Sequence, residues 1–232
     1  MNLPRLAERF ALPPQAPGQL DRLLELLATD PLAPTSVRDR ATALDAHVAD
    51  ALVALDLDAV RAAERIADLG AGAGFPGLVL AAALPQAHVS LVESSGRKCA
   101  FIERAVAAMG LANARVVCER AESWEDGVGA ADLVTARALA RLNVLVEYAA
   151  PLLAEGGTLV AWKGRRDAGE EADGAAAAAE TGLEPVQIVP VRPWDGAEHL
   201  HLHVYAKVRP TPHRYPRRPG IAAKRPLRAA DA

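Results

Sequence analysis

Between Arg65 and Gly77 the chain reads R-I-A-D-L-G-A-G-A-G-F-P-G, an acid followed by glycines at alternate positions. Glycines at 70, 72 and 74 allow a backbone to turn sharply and bring its N–H groups against a ligand. Asp68 puts a carboxylate beside that turn. Gly72, Gly74 and Gly77 also spell G-x-G-x-x-G, which alone is a weak signal. Glu93 strengthens it, because it ends the apolar run H-V-S-L-V at a spacing where a carboxylate accepts hydrogen bonds from both hydroxyls of a ribose. The combined chemistry is that of a holder for a nucleoside-type cofactor; a purely structural turn is the alternative.

The elements that would position these groups follow from the flanking residues. Ile66, Ala67 and Leu69 read as the end of a buried parallel strand, and Phe75 to Leu84 as a helix with Pro76 in its first turn and Pro85 closing it. A glycine turn between a strand's carboxyl end and a helix N-terminus is where open α/β sheets bind nucleotides. A dinucleotide would lay its pyrophosphate on that helix N-terminus. S-adenosylmethionine carries an ammonium and a sulfonium instead, which suits an acid at the turn. D-x-G-x-G-x-G with a later Glu resembles the first two motifs of the Rossmann-like S-adenosylmethionine-dependent methyltransferases, and that class is favoured.

With 232 residues and 51% hydrophobic side chains, the chain has enough apolar content for one sizeable α/β core with extensions. No apolar run approaches a membrane span, and M-N-L-P-R-L-A-E-R-F lacks the apolar region of a secretory signal, so a cytoplasmic location is expected. Cys99 and Cys118 are too few for a disulfide framework and are expected as buried thiols. The net charge of −3 is unevenly distributed. Residues 199–232 hold eight of the 26 Lys and Arg but only one of the 29 acids, Asp231, leaving +7 there and −10 in the rest. That split points to a polyanionic partner for an extended tail with little packing of its own; a solvated tail without a role is the alternative.

Upstream of the turn, Leu20, Leu23, Leu24 and Leu27 have the spacing of an amphipathic helix, and a second helix is expected from about Val37 to Leu57, capped by Ser36. Together they form a helical cap, on which His47 and Asp50 are expected to make a polar contact rather than a metal site. Downstream, a helix is expected over Arg97 to Met109 and a strand over Arg115 to Cys118. Ala121 and Glu122 then fall at the carboxyl edge of this third strand, although Glu122 equally suits the first turn of a short helix. A fourth strand, Ala131 to Thr135, delivers Arg137 to the same edge. The Asn- or Asp-Pro-Pro-aromatic motif of amino-group methyltransferases does not occur in the chain, nor does a Pro-Cys nucleophile of the kind used at pyrimidine C5. A helix over Leu142 to Leu153, a strand over Thr158 to Trp162, a helix over Asp167 to Thr181 and a strand over Pro185 to Val191 follow. Leu200 to Val208 then alternates as a last strand expected to pair antiparallel. His199, His201 and His203 share one face of it, but the outer two lie about 13 Å apart at strand rise, too far for one ion.

The ordered set D-x-G-x-G-x-G-F-P-G at Asp68–Gly77, V-E-S-x-x-R-K at Val92–Lys98, R-A-E at Arg120–Glu122, A-R-A at Ala136–Ala138, W-K-G at Trp162–Gly164, E-H-L at Glu198–Leu200 and the tail R-Y-P-R-R-P-G-I-A-A-K-R-P-L resembles the RsmG family. This family, historically called glucose-inhibited division protein B, comprises bacterial 16S ribosomal RNA guanine-N7 methyltransferases. The chain departs from it in the N-terminal region, which reads P-L-A-P-T-S-V-R-D in place of an aromatic and N-L-T, and in Ala46-His47 where R-H is usual. The resemblance implies an α/β Rossmann-like fold, mostly parallel with a final antiparallel strand, divided into a cap (1–60), a core (61–208) and a basic tail (209–232). It implies S-adenosylmethionine contacts at Gly70, Phe75, Ala121, Glu122 and Arg137, to which the residue chemistry adds Asp68, Gly72, Gly74 and Glu93. The implied partner is 16S rRNA or the small ribosomal subunit, for a monomeric enzyme with no metal. No catalytic base is expected, since guanine N7 already carries a free lone pair.

Overall fold

Five strands, β1 (Arg65–Leu69), β2 (His88–Val92), β3 (Ala114–Val117), β4 (Ala131–Arg137) and β5 (Leu153–Lys163), run parallel, and two more, β6 (Leu183–Val191) and β7 (Leu200–Lys207), complete the sheet. The computed structural model describes residues 2–229. The strand order is β3-β2-β1-β4-β5-β7-β6, with β7 antiparallel to both of its neighbours. The chain winds outward from β1 in both directions, so the carboxyl ends of β1 and β4 form the switch point at which such sheets bind ligands.

Side chains alternate across the sheet as strand geometry requires. Ile66, Leu133, Val160 and Leu202 join one apolar cluster, and Ala67, Val134, Leu159 and Tyr205 the other. The first is covered by α1 (Leu3–Phe10), α2 (Ala16–Thr29), a broken cap helix, α6 (Gly77–Ala83) and α7 (Gly96–Met109). Leu20, Leu23, Leu24 and Leu27 of α2 are all buried there, each contributing about 1.5–3 kcal/mol. The second cluster is covered by α8 (Leu142–Ala149) and α9 (Ala168–Thr181). Among the described residues no helix is long and apolar enough to cross a membrane.

Three expectations are corrected. The cap helix begins at Arg40, not Val37, because Asp39 is its cap: its carboxylate accepts the Thr42 N–H at 2.8 Å. It then runs as α3 (Arg40–Ala43), a π-helical turn (Leu44–Ala49), α4 (Asp50–Leu52), a 3-10 turn (Val53–Asp56) and α5 (Asp58–Arg61). The cysteines are not separate buried thiols. The parallel pairing of β2 and β3 brings Cys99 in the first turn of α7 to a Cα separation of 5.8 Å from the exposed Cys118, and the two form a disulfide.

The tail is not an extended arm either. Arg217 pairs with Glu147, which is 1% exposed, and Tyr215 Oη donates to Glu180 at 2.8 Å. After α10 (Ile221–Lys224), the Asn143 side chain donates to Leu227 O and the Ala229 N–H donates to Asp173. Glu147 on α8 and Glu180 on α9 thus neutralise two of the tail's cations, Arg217 and Arg214. Arg218, Lys224, Arg225 and Arg228 remain exposed.

Candidate active site

At the carboxyl ends of the strands, Leu69 stands in register with Val92 on one side and Ala136 on the other. The residues that follow, Gly70, Glu93 and Arg137, are therefore delivered to one edge. Gly70 has φ +65° and donates its N–H to Val92 O at 2.8 Å, which turns the chain away from β1 and opens a cavity of about 320 Å³ beside it. Gly70, Glu93, Lys98, Ala121, Glu122 and Tyr148 are among its lining residues. Glu93 is 6% exposed, and its carboxylate accepts the Gly72 N–H at 3.1 Å and the Ser95 N–H at 2.9 Å. A carboxylate offers about four lone-pair sites. Two thus hold the glycine turn and the entrance to α7, and two remain for a pair of hydroxyls.

Asp68 does not line this cavity. It is fully buried beneath the turn, where Oδ2 accepts the Gly77 N–H at 2.9 Å and Oδ1 accepts the Thr135 hydroxyl at 2.8 Å. Burial pushes its carboxyl up to about 6, against the lowering effect of those two hydrogen bonds. The residue clamps β1, β4 and the start of α6 together, and it supports the turn without reaching into the cavity. Its charge has a chemical consequence, because an acid under the first turn of α6 repels a pyrophosphate and occupies the Gly77 N–H that would greet it. Gly74 also faces inward: a Cβ there would sit 2.1 Å from Leu78 Cδ1.

Arg137 opens onto an adjoining cavity of about 260 Å³ rather than the first. Its guanidinium is held by the cap: Nη1 donates to Asp50 Oδ2 at 2.8 Å and to Ala46 O at 2.9 Å, and Nη2 lies 3.1 Å from His47 Nδ1. His47 stacks on Phe75 with centroids 4.5 Å apart, and the Arg137 guanidinium lies 5.4 Å from the same ring. Burial and the adjacent guanidinium lower the His47 pKa to about 4, so the ring is neutral near pH 7 and accepts from Arg137 while its other nitrogen faces Thr35 Oγ1 at 3.2 Å. Asp50 is pushed up by burial and drawn back by Arg137. The expected polar contact between His47 and Asp50 is instead a shared grip on Arg137. Trp162 Nε1 secures the same turn by donating to Asp50 O at 2.9 Å. Phe75, 4% exposed, is part of this packing and not of the first cavity wall.

Glu122 joins the crevice to the tail, since its Oε1 accepts the Gly220 N–H at 2.9 Å. Tyr148 and Lys98 are lining residues that the motif reading did not nominate. Lys98 ended a quoted motif and its Nζ lies 3.7 Å from Glu93 Oε2, whereas nothing in the local sequence marks Tyr148, which arrives from α8. Burial and the neighbouring Glu122 raise the Tyr148 pKa, keeping it a neutral donor. His201 and His203 make no metal cluster with other side chains among the described residues.

Comparison with known proteins agrees with this geometry. Residues 20–197 match the family described as GidB, rRNA small subunit methyltransferase G. The ribosomal RNA small subunit methyltransferase G of Rubrobacter xylanophilus is 43% identical over 197 residues, 82% of this chain and 76% of that protein. Its namesake in Chloroflexus aggregans is 39% identical over 215 residues, 90% of each. A SAM-dependent methyltransferase from Aquifex aeolicus shares the fold at a TM-score of 0.56 and 15% identity, over 80% of this chain and 97% of that one. A sheet wound outward from a glycine turn, a carboxylate at the end of β2 and a match over most of the chain thus converge: the chain belongs to the GidB family, the rRNA small subunit methyltransferases G.

Proposed function

We propose that this chain methylates N7 of a guanine in the 16S rRNA of the small ribosomal subunit, using S-adenosylmethionine. Membership of the GidB family is the observation that carries the reading, and the crevice fits the cofactor. Glu93 is placed to take the ribose hydroxyls, Ala121 and Glu122 to border the adenine, and Gly70 and Gly72 to let the chain pass close to the methionine portion, while Arg137 stands where its carboxylate end and the substrate meet. Asp68, Gly74 and Phe75 act behind this surface by fixing the turn. When bound, the cofactor supplies a methyl group on a sulfonium; N7 forms the new bond with its own lone pair as the electrons of the breaking bond remain on sulfur.

No residue has to remove a proton from N7, so the work of the protein is alignment and exclusion of water. The pairing of Arg137 with Asp50 serves that chemistry. An uncompensated guanidinium would disfavour both a cationic sulfonium and the positive charge that passes to the base. In this reading the cap, core and tail (1–60, 61–208 and 209–232) act as one unit, in the cytoplasm and as a monomer.

Titration calorimetry with S-adenosylhomocysteine and with NAD tests the class. Binding of S-adenosylhomocysteine alone is expected. Tight binding of NAD alone would refute the methyltransferase reading, and binding of neither would favour a passive RNA-binding module.

A further inference from the structure

Cys99 and Cys118 stand at two ends of one wall of the nucleoside crevice. The residues that follow Cys118, from Glu119 to Glu122, all line the cavity, as does Lys98 immediately before Cys99. Cys99 is 3% exposed in the first turn of α7, whereas Cys118 is exposed just past the end of β3. β3 is a short edge strand that pairs only with β2. Beyond it the chain reaches β4 through two 3-10 turns, and the Gly220 N–H on Glu122 supports that crossing. The disulfide is the covalent tie on this wall. It joins the segment set to border the adenine to the turn that presents Glu93 and Lys98.

The surroundings of the two sulfurs suit exchange as well as bonding. Cys99 Sγ lies 3.1 Å from Glu93 O, so a thiol at 99 has an acceptor in place once the bond is opened. Its position in the first turn of a helix, next to Lys98, stabilises a departing thiolate. The exposed Cys118 is the sulfur that an incoming thiolate reaches. In the cytoplasmic location proposed above thiols are held reduced, and a disulfide there is usually a transient or redox-sensing one.

We propose that Cys99 and Cys118 form a reversible thiol–disulfide site that sets the affinity of the crevice for its cofactor, opened by a dithiol reductant and closed by a peroxide. In opening, one thiolate of the reductant attacks Cys118 Sγ and Cys99 leaves as a thiolate that takes up a proton. The second thiol of the reductant then attacks its own sulfur in the mixed disulfide and releases Cys118. The reductant is oxidised to a disulfide, and the chain gains two electrons and two protons. In closing, the Cys118 thiolate takes an oxygen from hydrogen peroxide, becoming a sulfenic acid with release of water. Cys99 displaces that oxygen as a second water and restores the bond. With the tie open, Glu119–Glu122 must be ordered by the cofactor itself, at the expense of affinity. The proposal rests on the functional reading above for the identity of that cofactor.

The test compares the parent protein in its two states, one made with hydrogen peroxide and the other with dithiothreitol, each reagent then removed. Alkylation and mass spectrometry count free thiols, circular dichroism follows the fold, and calorimetry gives S-adenosylhomocysteine affinity. Amide hydrogen exchange across Glu119–Glu122 reports the wall without any ligand. The oxidised form should show no free thiol, the reduced form both, and re-oxidation should return the first state. Reduction should leave the chain folded, speed exchange across Glu119–Glu122 and weaken S-adenosylhomocysteine binding by roughly tenfold, the scale of ordering one short segment. Cys118→Ser should match the reduced parent and ignore both reagents. Equal affinity and exchange in the two states would overturn the proposal, as would a bond that does not re-form. So would loss of the whole fold on reduction, which would make the bridge a structural staple. A parent that binds S-adenosylhomocysteine in neither state would refute the functional reading instead, and the exchange difference would still decide whether the bridge governs the wall.

Discussion

Replacing Glu93 probes the crevice most sharply, because its carboxylate has two tasks that can be separated. In the structure it accepts the N–H groups of Gly72 and Ser95 at 3.1 and 2.9 Å. In the proposed complex its other lone pairs take the two ribose hydroxyls. Hydrogen bonds to a charged partner contribute about 1.5–3 kcal/mol each, net of the exchange with water. Because the site opens to solvent, Glu93→Ala should lower the unfolding free energy by roughly 2 kcal/mol and weaken S-adenosylhomocysteine binding by about 2 kcal/mol, a factor of roughly 30 in Kd. Glu93→Gln should be no milder, since its amide has one acceptor and must turn an NH₂ toward one of the two N–H donors. The decisive assay is calorimetry of parent and Glu93→Ala with S-adenosylhomocysteine and its 2′,3′-dideoxy analogue. The parent should lose about 2 kcal/mol on removal of the hydroxyls and the variant almost nothing. An equal loss in both proteins would refute any contact between Glu93 and the ribose.

Asp68 should give a pH signature. Its folded pKa of about 6 lies above the ordinary carboxylate value of 3.8, so the stability it contributes is fully present below pH 3.8 and is lost as pH rises through 6. Urea unfolding from about pH 4 to pH 7 should show the parent losing roughly 2 kcal/mol relative to Asp68→Asn, and parallel curves would contradict the burial argument. Reduction of Cys99–Cys118, which closes a loop with a sequence separation of 19, should lower stability by about 3 kcal/mol on the chain-entropy model; an unchanged denaturation midpoint on adding dithiothreitol would contradict this. Removing residues 211–232 strips the partner from buried Glu147 and from Glu122 in the crevice. Stability should fall by roughly 3–5 kcal/mol, and calorimetry should show cofactor affinity falling with it. Unchanged cofactor binding with a lowered RNA affinity would restore the tail as an independent arm.

Much of the core was legible because its signals are local. Apolar runs bounded by glycine and proline locate the first four strands within a few residues, and β2 at His88–Val92 to the residue. The glycine turn, Glu93, Ala121 and Glu122 reach the same edge because a parallel sheet delivers every strand end there. The inward orientation of Asp68 was not legible, since a buried clamp and a ligand contact look alike on a strand end. Neither were the contacts that cross the chain: Arg137 meets Ala46 across 91 positions and Glu122 meets Gly220 across 98. Periodicity describes the faces of an element without naming its partner. The packing of the tail was hidden for the same reason, because Glu147 and Glu180, which hold Arg217 and Arg214, lie far from it in sequence and beside it in space. The π-helical turn that helps aim His47 and Asp50 at Arg137 has no marker in the local residue pattern.

The central claim is best tested by methyl transfer in the purified system. Small ribosomal subunits from a strain lacking this gene would be incubated with the protein and S-adenosylmethionine labelled in its methyl group, and the 16S rRNA then cleaved by N7-specific chemistry and mapped by primer extension. About one label per subunit is expected, with a single new cleavage at one guanine that depends on the protein and disappears with Arg137→Ala. Label on an exocyclic amine, on a ribose or on ribosomal protein, or no transfer to the subunit at all, would contradict the assignment.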